Sequence, residues 1–393
     1  AHLPRNHSGQ KYAYDTALAP IVIQLYEKAE RQAHSSETLI RLHAIAKKNG
    51  QGFDLQRFFQ TKKASELRQY GNYFFDVSGL ANPNFALNAD NRLLLQTAAQ
   101  LYEKTEQVEH SAEALIRLHK IAKKTAQTFD LQRFLATENP SELSEYGNYF
   151  FTTAHQEKVA QTLPVPYNQW NTNPNGILSK YDQSPLGPND PSRALLQFAT
   201  QLYEKAEQLK HSTEALIRLH LIAEMTRQPF DFQRFLATDD VEELQQYADY
   251  LMSFQFPNYT TNIPYARQAI RLGEKMLVLD SGIRQKMALA RYYNWLGFCQ
   301  LFIPDAAAAE ASLRRALTLD STLVNLPIHL AHALLLQGRY FDAEKFYLEY
   351  QSKSFIYMDY KTYFLGDFQT LESQGVSHPD IARIRERLQD KKE

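Results

Sequence analysis

Histidine, carboxylate and arginine recur in this chain at fixed places, so any chemistry has to be sought there first. His34, His110 and His211 form one series, and His43, His119 and His220 form a second, nine residues further on. Imidazoles at recurring positions suggest metal ligation or proton transfer. The pattern favours neither. The two histidines of each pair lie on either side of a helix start, and no copy adds the further Asp, Glu or Cys that a metal needs at close spacing. The second series borders an apolar stripe, where a hydrogen bond to a neighbouring helix is the expected role. No metal and no cofactor are expected. Asp54, Asp130 and Asp231 each precede an arginine (Arg57, Arg133, Arg234) by three residues, which predicts a helix cap joined to a local ion pair. Arg41, Arg117 and Arg218 also recur, and a guanidinium facing a groove would hold a partner's carboxylate. Tyr73, Tyr149 and Tyr250 follow Tyr70, Tyr146 and Tyr247 by three residues and share their helix face. They read either as packing between repeats or as an exposed aromatic ladder of contact residues. Cys299 falls mid-helix in YYNWLGFCQLF, which predicts a buried, inert thiol despite His329 and His332 later in the chain. No phosphate-binding glycine loop, serine-nucleophile elbow, zinc-protease motif or calcium loop is present. No catalytic residue is assigned, and the chain reads as a non-enzyme.

These residues recur because the elements that carry them recur. Strings beginning LYEK start at Leu25, Leu101 and Leu202, each running through IRLH into F-D-(L/F)-Q-R-F and ending in YGNYFF, YGNYFF or YADYLM. Self-similarity of this kind marks a repeat architecture, in which each unit buries its apolar face on a neighbour. Copy two shows the expected unit. A first helix capped by Asp90 or Asn91 carries Leu93, Leu94, Ala98, Leu101 and Tyr102 on one stripe. Ser111 caps a second helix with Leu115, Leu118, His119 and Ala122 inward. Asp130 caps a short third helix, and Asn139-Pro140-Ser141-Glu142 starts a fourth. The expected fold is an all-α solenoid of three four-helix units followed by shorter hairpins. Its divisions are a lead-in at 1–16, repeats at 17–80 and 90–152, a Pro- and Asn-rich connector at 153–192, a third repeat at 193–256, hairpins at 262–350 and a helical cap at 351–393. Trp170, Tyr167 and Tyr181 favour a docked connector.

A formal net charge of −1 argues against a phosphate-binding surface, and so against nucleic acid as partner. Counted by copy, charge drifts from about +3 through −1 to about −4, which suits no uniform polyanion. The single cysteine excludes an intramolecular disulfide and a cysteine-based zinc cluster. No apolar run is long enough to span a bilayer. A soluble, cytoplasmic protein is expected, although a chain beginning at Ala1 leaves a cleaved leader open.

Counted from Ala290, residues Tyr293, Leu296, Gly297, Ala309, Leu313 and Ala316 take the slots of a 34-residue helical hairpin. Leu330, Ala331, Ala343 and Tyr347 repeat them, with Gly338 and Tyr340 at the turn. LAHALLLQGRYFDAEKFYLEY closely resembles the tetratricopeptide repeat. That resemblance implies a protein- or peptide-binding scaffold with no chemistry of its own, whose first helices line a concave face. It points to Asn294 as a contact residue; helical spacing outside the Gly/Ala crossing positions adds Tyr292 and His332, beside Tyr73, Tyr149, Tyr250, Arg117 and Arg218 from the copies. Ile328 replaces the expected asparagine of the second hairpin, which argues against a full carboxylate clamp. The same run, with its DFQTLESQGVSHPDI tail, also resembles repeat segments of large bacterial proteins that carry caspase-like or signalling domains. This implies, as an alternative, a recognition arm for an active subunit on another chain.

Overall fold

A computed structural model describes residues 19–80, 82, 85–162, 186–187, 189–351, 353–355 and 358–389. The lead-in and the part of the connector with Tyr167, Trp170 and Tyr181 lie outside the described residues. The chain divides into two compact units, residues 1–150 and 151–393.

The first unit holds copies one and two. Copy one comprises α1 (Ala19–Gln32), α2 (Ser36–Lys48), a 3-10 turn at Leu55–Phe59 and α3 (Ala64–Ser78). Copy two comprises α4 (Ala89–Val108), α5 (Ala112–Thr125), the one-turn α6 (Gln132–Leu135) and α7 (Pro140–Thr162), whose residues from 151 onward belong to the second unit. Copy three repeats the order in the second unit as α8 (Ser192–Leu209), α9 (Thr213–Thr226), α10 (Gln233–Leu236) and α11 (Val241–Met252). Four helical segments per copy match the sequence pattern.

Local chemistry sets these boundaries. Ser111 and Ser212 accept the Ala114 and Ala215 amides at 3.3 Å, satisfying otherwise orphaned first-turn donors. The second helix of every copy ends in a left-handed residue: Gly50, Ala126 or Arg227, with φ of 67°, 55° and 56°. The following glutamine amide then reaches back to Ala46, Ala122 or Ala223 at 2.8–2.9 Å. Asp54, Asp130 and Asp231 accept the backbone amide two residues on and so fix the next turn. Around that turn Phe58, Phe134 and Phe235 are fully buried against Tyr70, Tyr146 and Tyr247.

Several details depart from the sequence reading. The cap of α4 is Asn88, in a reciprocal box with Asn91, so Asp90 and Asn91 lie inside the helix. Leu93 is exposed, and Leu95 takes the buried place beside Leu94, Ala98, Leu101 and Tyr102. Asn139 does cap α7, but Glu142 turns to the Thr137 hydroxyl instead of closing a box. α7 also continues about ten residues into the expected connector, because no Gly or Pro interrupts TTAHQEKVAQT.

The rest of the second unit is α12 (Ile263–Leu279), α13 (Ile283–Gln300), α14 (Ala306–Leu319), α15 (Leu326–Leu336), α16 (Tyr340–Tyr350), α17 (Tyr360–Ser373) and α18 (Asp380–Gln389). A two-residue antiparallel pair, β1 (Ser354–Phe355) and β2 (Met358–Asp359), precedes α17. It is the only extended ladder among the described residues in an otherwise all-α chain. α13–α14 and α15–α16 form hairpins at the tetratricopeptide spacing. At their crossing Gly297 lies so close to α14 that a Cβ there would meet Leu313 Cγ at 2.6 Å. Pro327 sits in the first turn of α15, where the missing amide costs nothing.

Candidate functional site

The first histidine series sits where the first helix of each copy turns into the second. In copy two, His110 Nδ1 meets Glu106 at 2.9 Å, and Nε2 meets Glu142 at 3.2 Å and the Tyr146 hydroxyl at 3.1 Å. His34 lies between Glu30 and Glu66, and His211 between Glu207 and Glu243, in the same way. Burial opposes a charge on His211, but hydrogen bonds to Glu207 and Glu243 outweigh it and raise its pKa. Contrary to the sequence reading, each copy does place a glutamate close by, four residues before the histidine, but each ring nitrogen faces a different carboxylate, which makes a bridge and not a metal cage. Among the described residues no group of three ligands could hold a metal ion.

The second series is inside. His43 is boxed by Phe53, Phe58 and Phe74, and its Nδ1 pairs with the Tyr73 hydroxyl at 2.8 Å. His119–Tyr149 and His220–Tyr250 repeat the pair at 2.7 and 2.8 Å. Burial pushes all three histidines down to about 4, so they are neutral at pH 7. Tyr73, Tyr149 and Tyr250 are half-buried and their hydroxyls are engaged. This favours packing over an exposed ladder.

The arginines differ from expectation too. Arg57, Arg133 and Arg234 pair with Glu27, Glu103 and Glu204 at 2.7–2.8 Å, thirty residues upstream, because the nearby aspartate is already used as a cap. Arg117 and Arg218 lie over the Phe75 and Phe151 rings at 4.3 and 5.0 Å, so both pack against a preceding helix.

The three contact residues expected in the hairpins are interior. Tyr292 is buried and its hydroxyl joins Gln245 and Asp249. Asn294 donates to Asn325 and accepts from His329 at 3.0 Å. His332 is fully buried, with Nδ1 on the Tyr347 hydroxyl and Nε2 at ion-pair distance, 3.4 Å, from Asp367. The cause is packing: α13 contacts α12, α14 and α15, leaving no bare face for its middle turns. Cys299 is buried as expected, and desolvation pushes its thiol up to about 12, away from nucleophilic use.

Open concave surface lies elsewhere, at a place the sequence reading missed. One groove of about 400 Å³ runs beside α4 and α5, and another of about 510 Å³ runs beside α8 and α9. They are the same groove built twice. Leu118, Ile121 and Ala122 floor the first, and Leu219, Ile222 and Ala223 floor the second. Phe129 and Phe230 close one end, each carrying the Arg133 or Arg234 guanidinium over its ring. The rims are Gln100 and Gln127 in one, Gln201 and Gln228 in the other, all exposed. The left-handed Ala126 and Arg227 set the rim glutamines in place, one residue before Gln127 and Gln228. The recurring LYEK…IRLH…Q-x-F-D letters carry this groove. Periodicity alone could not separate its lining from core positions.

Among the described residues no helix is long and apolar enough to cross a membrane. No family model and no curated protein matches this chain. Among solved structures the chain is similar to the "TPR2AB-domain:pHSP90-complex of yeast Sti1", at 12% identity over 83% of this chain and 98% of that one, with a TM-score of 0.22. It is also similar to the TPR domain of P58(IPK), at 14% identity over 95% and 99% of the two chains, with a TM-score of 0.24. At these scores neither structure carries an argument, and the helical-repeat architecture rests on this chain's own copies and hairpins.

Proposed function

We propose that this chain is a non-enzymatic scaffold that binds extended peptide segments of a protein partner, one in the groove beside α4–α5 and one in the groove beside α8–α9. The observation that carries this reading is recurrence: the same floor, aromatic end and glutamine rims occur in two copies that fold in separate compact units. A groove of this size takes two or three apolar side chains on its Leu-Ile-Ala floor. Glutamine amides on both rims offer donors and acceptors to a peptide backbone, as an extended ligand requires.

Phage-displayed random 12-residue peptides selected on the full chain test the reading. Selected peptides should bind Gln100→Ala/Gln127→Ala/Gln201→Ala/Gln228→Ala at least about tenfold more weakly, the loss of roughly 1.4 kcal/mol of hydrogen bonding. These four side chains are exposed, so the fold should survive, as circular dichroism would verify. Unchanged affinity for the quadruple variant, or failure to select any peptide, sinks the proposal.

A further inference from the structure

The first helix of copy two is covered on the face that, among the described residues, the first helix of copy one leaves bare. In α4, Thr97 and Leu101 are 4% and 0% exposed; the matching α1 residues, Ile21 and Leu25, are 54% and 63% exposed. Copy three agrees with copy two, since Phe198 and Leu202 are buried. The cover on α4 is α3. Gly71 seats on the Tyr102 ring so closely that a Cβ would meet it at 2.7 Å. Tyr102 donates to Asn72 Oδ1 at 2.6 Å, and Asn72 donates onward to Glu113 at 3.0 Å. Arg117 lies over Phe75 and reaches Asp76 at 3.4 Å. The socket is therefore an apolar patch, a tyrosine, a glutamate and an arginine. Its plug is a helix reading Gly-Asn-x-x-Phe-Asp.

Among the described residues, copy one has every part of that socket and no plug. Leu25 and Tyr26 stand for Leu101 and Tyr102, and Glu37 and Arg41 for Glu113 and Arg117. Among the described residues Arg41 meets no phenyl ring or aspartate; it closes on Glu37 at 2.6 Å, where Arg117 and Arg218 stay 3.7 and 4.0 Å from Glu113 and Glu214, and its side chain and that of Glu37 are 40% and 63% exposed. We infer that the α1 face, with Glu37 and Arg41 of α2, is a docking site for a helix from another polypeptide that carries Gly-Asn-x-x-Phe-Asp or a close variant. The established α3–α4 interface names the occupant's chemistry. A second copy of this chain cannot supply it in folded form, because its own helices of this kind are already engaged. α3 is held by α4, α7 by Arg218 over Phe151, and α11 by Tyr292 on Asp249. The site is separate from the grooves, so its failure leaves the groove reading standing, and the reverse.

A fluorescein-labelled peptide of residues 61–80, TKKASELRQYGNYFFDVSGL, is the probe, read by anisotropy against the full chain. Binding is expected with a Kd on the order of 10–100 µM, weaker than the intramolecular contact it copies because the peptide must order as it docks. A peptide with Gly71→Leu should bind at least about tenfold more weakly, since its side chain would collide with Tyr26. Leu25→Asp in the chain should do the same, and Arg41→Glu should weaken binding less; Leu25 is exposed and Arg41 half-buried with its side chain at the surface, so neither change removes a core contact. Equal binding of the two peptides, indifference to Leu25→Asp, or no binding at 1 mM (roughly the threshold of a specific contact) overturns the inference. So does binding seen only after residues 1–18 are removed, which gives the socket to the chain's own leading segment. A dimer that Leu25→Asp makes monomeric also overturns it, by giving the socket to a second copy.

Discussion

Polar groups are buried in two different ways in this molecule. In the three copies each interior histidine is self-contained: it sits among phenyl rings and pairs with one tyrosine hydroxyl of its own copy, thirty residues on. In the C-terminal hairpins the interior polar side chains are linked across elements. Asn294 on α13 joins Asn325 and His329, and His332 on α15 joins Tyr347 on α16 and Asp367 on α17. The copies keep this one buried pair inside the unit, although the Tyr102 hydroxyl does reach Asn72 of the preceding copy. A terminal segment that occurs once can distribute its polar groups, and it becomes more sensitive to each one.

Acid gives the largest expected effect and tests what the two regions share. His43, His119 and His220 in the copies and His329 in the hairpins all have pKa values pushed down to about 4 by burial. Their unfolded value is near 6.5, so below that pH the unfolded chain binds protons the native state refuses. Their contribution is complete above pH 6.5 and is lost as pH falls towards 4. His211 has the opposite sign: its raised pKa gives a contribution that is complete below pH 6.5 and is lost as pH rises through the folded value. Four groups outweigh one, so the melting temperature should drop by at least about 10 °C between pH 7 and pH 4.5. A flat profile over that range would mean that the four rings are not buried neutral.

Single substitutions then separate the regions. Asn294→Leu leaves His329 Nδ1 and Asn325 without their partner inside α13–α15, and should cost about 2–4 kcal/mol. Tyr149→Phe removes one half-buried hydroxyl from His119 and should cost about 1 kcal/mol. Chemical denaturation of each variant checks the order. If Tyr149→Phe costs as much as Asn294→Leu, the contrast between local and distributed satisfaction is false.

The sequence shows these regions unequally, for physical reasons. Repeated apolar spacing specifies which helix faces are buried, so the three units, the Ser111 cap and the buried Cys299 were all legible. Polar partners were legible only where proximity in sequence decides them. Arg57 was assigned to Asp54 because the two are three residues apart, whereas the cap had already taken the aspartate, and Glu27 thirty residues away was free. The recurrence of Glu27, Glu103 and Glu204 beside the arginines was the signal that could have found the pair. Tyr292, Asn294 and His332 were placed on an open face by resemblance to the tetratricopeptide pattern. For His332 the sequence held a contrary signal: LPIHLAHALLL is apolar on every side, and a helix apolar all round is a buried one. The grooves and the exposed α1 face were invisible, since nothing in a single sequence says which of three equivalent faces lacks a neighbour among the described residues.

The smallest expected effect concerns the left-handed turn that ends α2, α5, α9 and α15, where copy one and the hairpin use glycine and copies two and three do not. Gly338 closes the α15 helix with φ of 74°, and Gly50 does the same for α2 with φ of 67°. Copies two and three put Ala126 and Arg227 into that left-handed conformation, which an L side chain adopts at a cost of about 1–2 kcal/mol. A Cβ added at Gly50 or Gly338 meets no atom within 4 Å, so backbone strain alone would set the outcome there. Ala126→Gly and Arg227→Gly should each stabilise the protein by about 0.5–1 kcal/mol, the relief of strain less the greater chain entropy of unfolded glycine. Gly50→Ala and Gly338→Ala should each destabilise it by a similar amount. Both rim glutamines follow the strained residues, so the same variants also test the grooves. If strain holds Gln127 and Gln228 in place for a ligand, Ala126→Gly/Arg227→Gly will melt higher and yet bind the selected peptides more weakly. A variant that gains stability and keeps full affinity would show that the left-handed turn serves the helix end alone.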